Sequence, residues 1–245
     1  MSRSRRPTAA PTVSVLIAVR DGAAYLGEAI ESTLSQSYRP IELVVVDDGS
    51  QDDTGTVALR YGSEINYARQ APLGMGAARN RSVELSTGEL LAFLDADDVL
   101  EPERLRRQAS ALARAPDLEA VFGRITEFIE PGLPEDARAD LRLPREGVPS
   151  HLVTAMLIRR SAFERIGPFA VDQPLNVGVE WYSRALDAGL RSEMLDHVVL
   201  RRRLHGANVG VVRWDGGHEL VRIARATLER RRASNVPRDG ASEVP

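Results

Sequence analysis

Three aspartates, Asp95, Asp97 and Asp98, close an apolar run, LLAFL, at residues 90–94. Carboxylates this close repel one another, and taking them out of water is costly. A bound cation offsets both effects. Carboxylate oxygens are hard ligands suited to Mg2+ or Mn2+, which in such sites bind one or two protein carboxylates plus phosphate oxygens. The other reading is a solvated acidic turn in which Asp98 caps the next helix. A second acidic turn, Asp47-Asp48-Gly49-Ser50, follows the run VVV. Its aspartates can accept from an N–H or a ribose hydroxyl, and Gly49 lets the backbone turn. An Asx turn that starts a helix would use the same residues.

Other groups could serve such a site. Arg79 lies in GMGAARN, residues 74–80. Two glycines there invite a dinucleotide-fold reading, but the third is missing and no clear strand precedes them. Arg79 is therefore read as a group facing a donor or the acid cluster, or as a surface ion pair. In RRRLHGAN, residues 201–208, Arg201 and Arg203 share one strand face and Arg202 takes the other. Arg203 and His205, beside a glycine turn, could meet a diphosphate or a metal. Glu180, followed by Trp181 and Tyr182, is a candidate general base beside an aromatic wall. The plain alternative is a helix that packs its aromatic residues and favours an acid in its first turn.

The elements that must position these groups are legible as alternation. VSVLIAV, residues 13–19, is short, β-branched and apolar throughout, as strands buried on both faces are. A helix follows at 24–36, with Leu26, Ile30 and Leu34 on one side. Strand 41–46, a short helix with Asp52 or Asp53 as its N-cap, and a short strand in EINYARQ come next. The helix from Gly74 is expected to end at Gly88 as C′ residue. Strand ELLAFLD follows, then a helix opened by Pro102. Such alternation predicts an α/β fold with a mostly parallel sheet and helices on both faces. Ligands bind outside the carboxyl ends of such strands, where both acidic turns stand.

After residue 115 the expected order is a strand in EAVFGRITEFI and a mobile loop at 131–150. A strand and short helix follow in HLVTAMLIRRSAFERIG. Then come a helix stopped at Gly189, a strand in EMLDHVVLRRRLHG and a C-terminal helix over 215–232. The expected organisation is a disordered tail over 1–10, a single domain over 11–232 and a disordered tail over 233–245. Within the domain, 11–115 is the nucleotide-binding half and 116–232 the acceptor half.

Composition excludes several chemistries. The chain has 245 residues, no cysteine, no lysine and a net charge of −3. Disulfides, thiolate catalysis and Cys-ligated zinc are ruled out, as is a lysine-bearing phosphate loop. No basic excess points to nucleic acid. The apolar run at 13–19 is far shorter than the roughly 20 residues a membrane span needs, and no cleavage pattern follows it. The reading is a cytoplasmic protein. Arg222, Arg225, Arg230, Arg231 and Arg232 could lay the last helix on an anionic membrane, but Glu219 and Glu229 interrupt that surface, so a solvated face is preferred.

Taken together, "VSVLIAVRDGAAYLGEAIESTLSQSYRPIELVVVDDGSQDDT" and "GMGAARNRSVELSTGELLAFLDADDVLEPERL" resemble the opening blocks of the family-2 glycosyltransferases with the GT-A fold. The resemblance is dense from 12 to 108 and thinner from 150 to 206. It implies a single GT-A domain and metal-dependent, inverting transfer of a sugar from a nucleotide donor, most often a UDP-sugar, to a hydroxyl acceptor. It implies that Asp48 binds the base, that Ala18, Val19 and Arg20 lie beside the nucleotide, and that Asp95 and Asp97 form the DxD motif with Asp95 near the ribose; Asp47, Arg79, Ala96 and Arg203 complete the expected donor site. Mn2+ or Mg2+ falls to Asp97, Asp95 and His205. The chain departs from the family at Val177 and Gly178, where many members carry Glu-Asp and use the Asp as base. Glu180 is then the nearest carboxylate and Asp172 a second candidate. A non-catalytic binding or scaffold protein on the same fold is the alternative that this departure favours; a nucleotidyltransferase is a weaker one, since only Arg20 could meet a triphosphate. The acceptor, whether glycan, lipid-linked sugar, peptide or small molecule, is not named by any residue. Loop 131–150 and the stretch around His151 are expected to shape its site.

Overall fold

The computed structural model describes residues 10–135, 138, 146–172 and 176–205. Both expected tails, apart from Ala10, and the expected C-terminal helix over 215–232 lie outside the described residues.

The first half winds as its alternation predicts. Strand β1 (Val13–Val19) is buried along its whole length and is flanked by β2 (Ile41–Asp47) and β4 (Leu90–Asp95), both parallel to it. β3 (Asn66–Arg69) extends the sheet beyond β2, again parallel. Three helices connect these strands: α1 (Leu26–Leu34), α2 (Thr54–Leu59) and α3 (Met75–Glu84). The register sets Ala18 beside both Val46 and Asp95, and Val19 beside Asp47. Three strand ends therefore share one edge, and the acidic turns that follow β2 and β4 lie there side by side.

The second half adds shorter antiparallel ladders and one long parallel one. A two-residue strand, β5 (Val99–Leu100), precedes α4 (Arg104–Arg114). Then come β6 (Ala120–Ile129), β7 (Val148–Ser150), β8 (Leu157–Arg159), α5 (Arg160–Ile166), α6 (Val177–Asp187) and β9 (Ser192–Leu204). The sheet order is β3-β2-β1-β4-β8-β6-β9-β5, with β7 pairing to β6. β8 is antiparallel to both β4 and β6, whereas β6 and β9 run parallel. Val99 pairs with Arg201 and Leu100 with Leu200. That pairing pins the chain just after the acidic turn to the strand that carries Arg203 and ends just before His205.

Alternation along the strands divides the core. Val15, Ile17, Val45 and Leu94 pack with Leu26 and Ile30 of α1, and with Leu105 and Leu112 of α4, on one face. Leu16, Val44, Phe93, Phe122, Phe163, Phe169 and Trp181 pack on the other, under α3, α5 and α6. Burying each such side chain is worth about 1.5–3 kcal/mol.

Three local expectations change. The first helix begins at Leu26 rather than residue 24. Part of the segment expected as loop, 148–150, is strand, because it pairs antiparallel with Gly123–Ile125 of β6. And α3 ends at Glu84, so Gly88 is not its C′ residue. Gly88 is required for a different reason. Its N–H donates to Ser14 Oγ at 2.9 Å. A Cβ there would lie 2.5 Å from Ser14 Oγ and 2.7 Å from the Thr12 carbonyl oxygen. Backbone cannot yield cheaply, so Gly88→Ala should destabilise the fold by about 1–3 kcal/mol. Thermal unfolding should show a drop of about 2–4 °C for each kcal/mol; an unchanged midpoint would mean that β1 shifts freely.

Candidate active site

The turn after β4 is where charge concentrates. Oxygens of Asp95, Asp97 and Asp98 lie within 4.8 Å of one another. Asp95 accepts from Arg79 Nη2 at 2.6 Å, and the Arg79 guanidinium lies 5.7 Å from the centre of the Phe169 ring. Asp97 is 3.1 Å from His205 Nε2. Asp98 is buried and accepts the Arg203 N–H at 3.0 Å. Burial pushes its carboxyl well above the usual carboxylate range, and the charges of Asp97 and Asp95 push it further. Asp98 is thus the inner acid of the turn, and Asp95 and Asp97 are the outer two. Two half-exposed carboxylates with an imidazole beside them make a hard donor set that fits Mn2+ or Mg2+.

Arg203 holds this turn in place. Its Nε donates to the Asp97 carbonyl at 3.0 Å, and its two terminal nitrogens bind Glu130 and Glu28. The guanidinium lies 4.9 Å from the ring centre of Tyr25 and 4.7 Å from that of Phe128. Tyr25 in turn packs against His205, ring centres 4.8 Å apart and planes tilted by 35°. Arg203 is only 3% exposed. The sequence put it on the donor; the structure turns it onto protein, as a brace between α1, β6, β9 and the acidic turn. Tyr25, Glu28, Phe128 and Glu130 were not foreseen. Their contacts cross 73 or more positions of chain, and no local pattern marks them.

The nucleotide residues expected at the ends of β1 and β2 separate into two kinds. Ala18 and Val19 are buried, and the Val19 carbonyl accepts the Asp48 N–H at 2.8 Å. Arg20 is half exposed, with its Nε 3.8 Å from Asp21. The loop after β1 is zipped to the loop after β2. Asp21 N–H donates to Ser50 Oγ, Gly22 N–H to Thr54 Oγ1 and Ala23 N–H to Asp52, each at 2.9 Å. Asp52 also accepts the Thr54 N–H, so it caps the start of α2, although Asp53 precedes that helix directly. Asp48 accepts from Gln70 Nε2 and from the N–H groups of Leu73 and Gly74, at 2.8–2.9 Å, tying β2 to the start of α3. Asp47 is turned to the opposite sheet face and buried. It accepts from Ser50 N–H at 2.7 Å and from the Tyr67 hydroxyl at 2.9 Å. Ala96 packs into the core on that same face.

The two candidate bases stand apart from one another. Glu180 accepts from Arg184 through both oxygens, at 2.8 and 3.1 Å. Arg184 also donates to the Ile166 and Pro168 carbonyls. Glu180 therefore helps fix the turn at 166–168, and neither of its oxygens is left clear of that pair. Asp172 is exposed. It follows a loop clamped to α3, where Asn80 exchanges two hydrogen bonds with the Phe169 backbone, at 2.9 and 2.8 Å. Ala170 presses so closely on Gly76 that no side chain would fit between them.

Comparison with known proteins puts this geometry in context. The model of the family described as "Glycosyl transferase family 2" matches residues 14–167. An uncharacterized glycosyltransferase of Rickettsia typhi is 38% identical over 117 residues, covering 48% of this chain and 37% of the relative. Glycosyltransferase AglE of Haloferax volcanii is 30% identical over 193 residues, covering 73% of this chain and 62% of its own. The chain thus spans about a third of the length of the first curated relatives it matches. Among solved structures, S. aureus TarS in complex with UDP-GlcNAc superposes with a TM-score of 0.72 at 17% identity, over 89% of this chain and 66% of that one. That likeness is one of fold, and the fold is GT-A. Among the described residues no helix is long and apolar enough to cross a membrane.

The Asp47–Tyr67 pair yields a pH prediction. Burial, then the hydrogen bond and charge of Asp47, push the Tyr67 hydroxyl up to about 12. A tyrosine in an unfolded chain ionises near 10. Folding thus favours the neutral phenol. The stability it adds is intact below about pH 10 and is lost as pH rises towards 12. Tyr67→Phe leaves a buried carboxylate oxygen short of a donor and should cost about 1–3 kcal/mol near pH 8. Denaturant unfolding from pH 8 to 12 should show the gap between the two proteins closing; a constant gap would overturn the assignment.

Proposed function

The chain belongs to glycosyl transferase family 2, and from that premise we propose that it transfers a sugar from a nucleoside-diphosphate donor, with uridine as the nucleoside, to a hydroxyl acceptor, with inversion at C1. The observation that carries the reading is the cluster of Asp95, Asp97 and Asp98 within 4.8 Å, at the strand edge where an open α/β sheet binds its ligands. S. aureus TarS, of the same fold, is solved with UDP and with UDP-GlcNAc.

In this reading Ala18, Val19, Arg20 and Asp48 flank the nucleotide, beside the zipped loops after β1 and β2. Asp97, with Asp95 and His205, holds Mn2+ or Mg2+. When bound, the cation supplies Lewis-acid charge for the departing diphosphate. Arg79 stands behind Asp95, where its charge-assisted hydrogen bond aims that carboxylate. Arg203 acts through the acidic turn: it fixes the Asp97 backbone and, through Tyr25, the ring of His205. The acceptor approaches from the side of β7 and α6, on which no side chain names its chemistry.

The test is thermal unfolding with UDP, GDP, TDP or CDP, each with Mn2+, Mg2+ or EDTA. A ligand at about 100 times its dissociation constant adds roughly 2.7 kcal/mol. For a chain of this size that is a rise of about 5–10 °C. UDP should give it with metal, lose it with EDTA and lose it in Asp97→Ala. No shift with any nucleotide would sink the donor site and favour a scaffold. A metal-dependent shift without sugar transfer or donor hydrolysis would favour a non-catalytic binding protein.

A further inference from the structure

We propose that the imidazole of His151 takes the proton from the acceptor hydroxyl. The inference rests on the transfer reading above and supplies the base that reading lacks.

A base needs an accepting atom that faces solvent and is not already engaged. Glu180 does not meet that requirement, since Arg184 occupies both its oxygens. His151 meets it. The residue is exposed, and among the described residues nothing hydrogen-bonds to its ring nitrogens. The ring is nonetheless held. It stacks on Tyr182 with centres 5.2 Å apart and planes 22° apart, and it lies 5.1 Å from the Phe122 ring. Tyr182 and Phe122 are themselves 5.5 Å apart, edge to face. Such a three-ring cluster fixes an imidazole without consuming its nitrogens.

The position is also appropriate. His151 directly follows Ser150, which pairs with Gly123 of β6. Phe122 belongs to the core under α3, α5 and α6, as does Phe93. Asp95, two residues beyond Phe93 on β4, points to that same face and meets Arg79 of α3. Across β4, β8 and β6 the register runs Ala92, Leu157, Val121. His151, packed on Phe122, and Asp95 therefore stand over one sheet face.

Gly178 explains how the imidazole comes to be there. It lies one turn before Tyr182, on the same side of α6. A Cβ at 178 would sit 3.0 Å from Val153 Cγ2, in close contact. The absent side chain lets segment 151–153 settle over the first turns of α6, which brings His151 onto Tyr182. The chain thus has no carboxylate at 177 or 178 and presents an imidazole over that helix face instead.

In the step itself the acceptor oxygen forms a bond to C1 of the sugar as the bond from C1 to the diphosphate oxygen breaks. The electron pair leaves with the diphosphate, and the hydroxyl proton moves to a ring nitrogen of His151.

UDP release from a panel of UDP-hexoses and UDP-N-acetylhexosamines, with water as acceptor and Mn2+ present, tests this. His151→Ala should lower kcat by about 10²–10⁴. It should leave the UDP-induced thermal shift intact, and added imidazole should restore part of the rate. His151→Phe keeps the stacking and should be as slow as the alanine variant. Wild-type rates in His151→Phe would make the ring a packing group and overturn the proposal. Loss of kcat in Asp172→Asn with full activity in His151→Ala would hand the role to Asp172. If the wild type binds no UDP, the donor reading fails and the base falls with it. If it binds UDP and the His151 variants release UDP normally, the base alone fails.

Discussion

Three carboxylates forced together at the end of one strand set the terms for the rest of the molecule. Packed within 4.8 Å, they destabilise the fold unless positive charge meets them. The chain supplies it from far away in sequence: Arg79 from α3 and Arg203 from β9. Arg203 is the most consequential, since its guanidinium fixes the acidic backbone and is itself held by Glu28 and Glu130. A buried charge without partners is expensive, whereas a fully engaged one fixes a unique arrangement. The sheet topology makes this brace possible. β5 is only two residues long, but its pairing with β9 delivers Arg203 to the turn.

The first hundred residues were legible because their chemistry is local. Parallel central strands are apolar along their whole length, helices show their spacing, and the acids fall where strands end. The GT-A resemblance rested on the same residues. What could not be read depends on distant partners. Glu180 reads as a base from its place at a helix start; only the fold reveals that Arg184, one turn on, points back at it while bracing the 166–168 turn. Gly88 reads as a helix stop because glycine so often is one. Its true constraint, the close approach of Thr12 and Ser14, lies more than 70 positions away. Asp47 and Asp48 are adjacent and identical in type, but the strand period of two sends them to opposite faces. One holds a turn against Tyr67; the other ties β2 to the start of α3.

That period of two also separates stability from chemistry. The face under α1, α2 and α4 is aliphatic, and there Asp47 and Gln108 are fully engaged in holding loops and strands. The other face is aromatic. Phe93, Phe163, Phe169 and Trp181 form one connected set of rings, with Arg79 at one end. Phe122, Tyr182 and His151 form a second, and Tyr182 follows Trp181 directly in α6. Rigid rings bury large area with few rotatable bonds to freeze.

The aromatic face therefore does what a catalytic wall must do: it fixes polar groups at its rim, and at His151 it does so without engaging the ring nitrogens. Arg79 reaches Asp95 from over the Phe169 ring, and Tyr182 presents the His151 ring to solvent. A hydrogen bond would fix the imidazole as well, but it would occupy the very atom a reaction needs, as happens at Glu180. Stacking leaves ring nitrogens available. A fold that has no carboxylate at 177 or 178 of α6, and whose Glu180 is engaged by Arg184, can in this way still present a proton acceptor there, through the small residue that lets a neighbouring segment close over the helix.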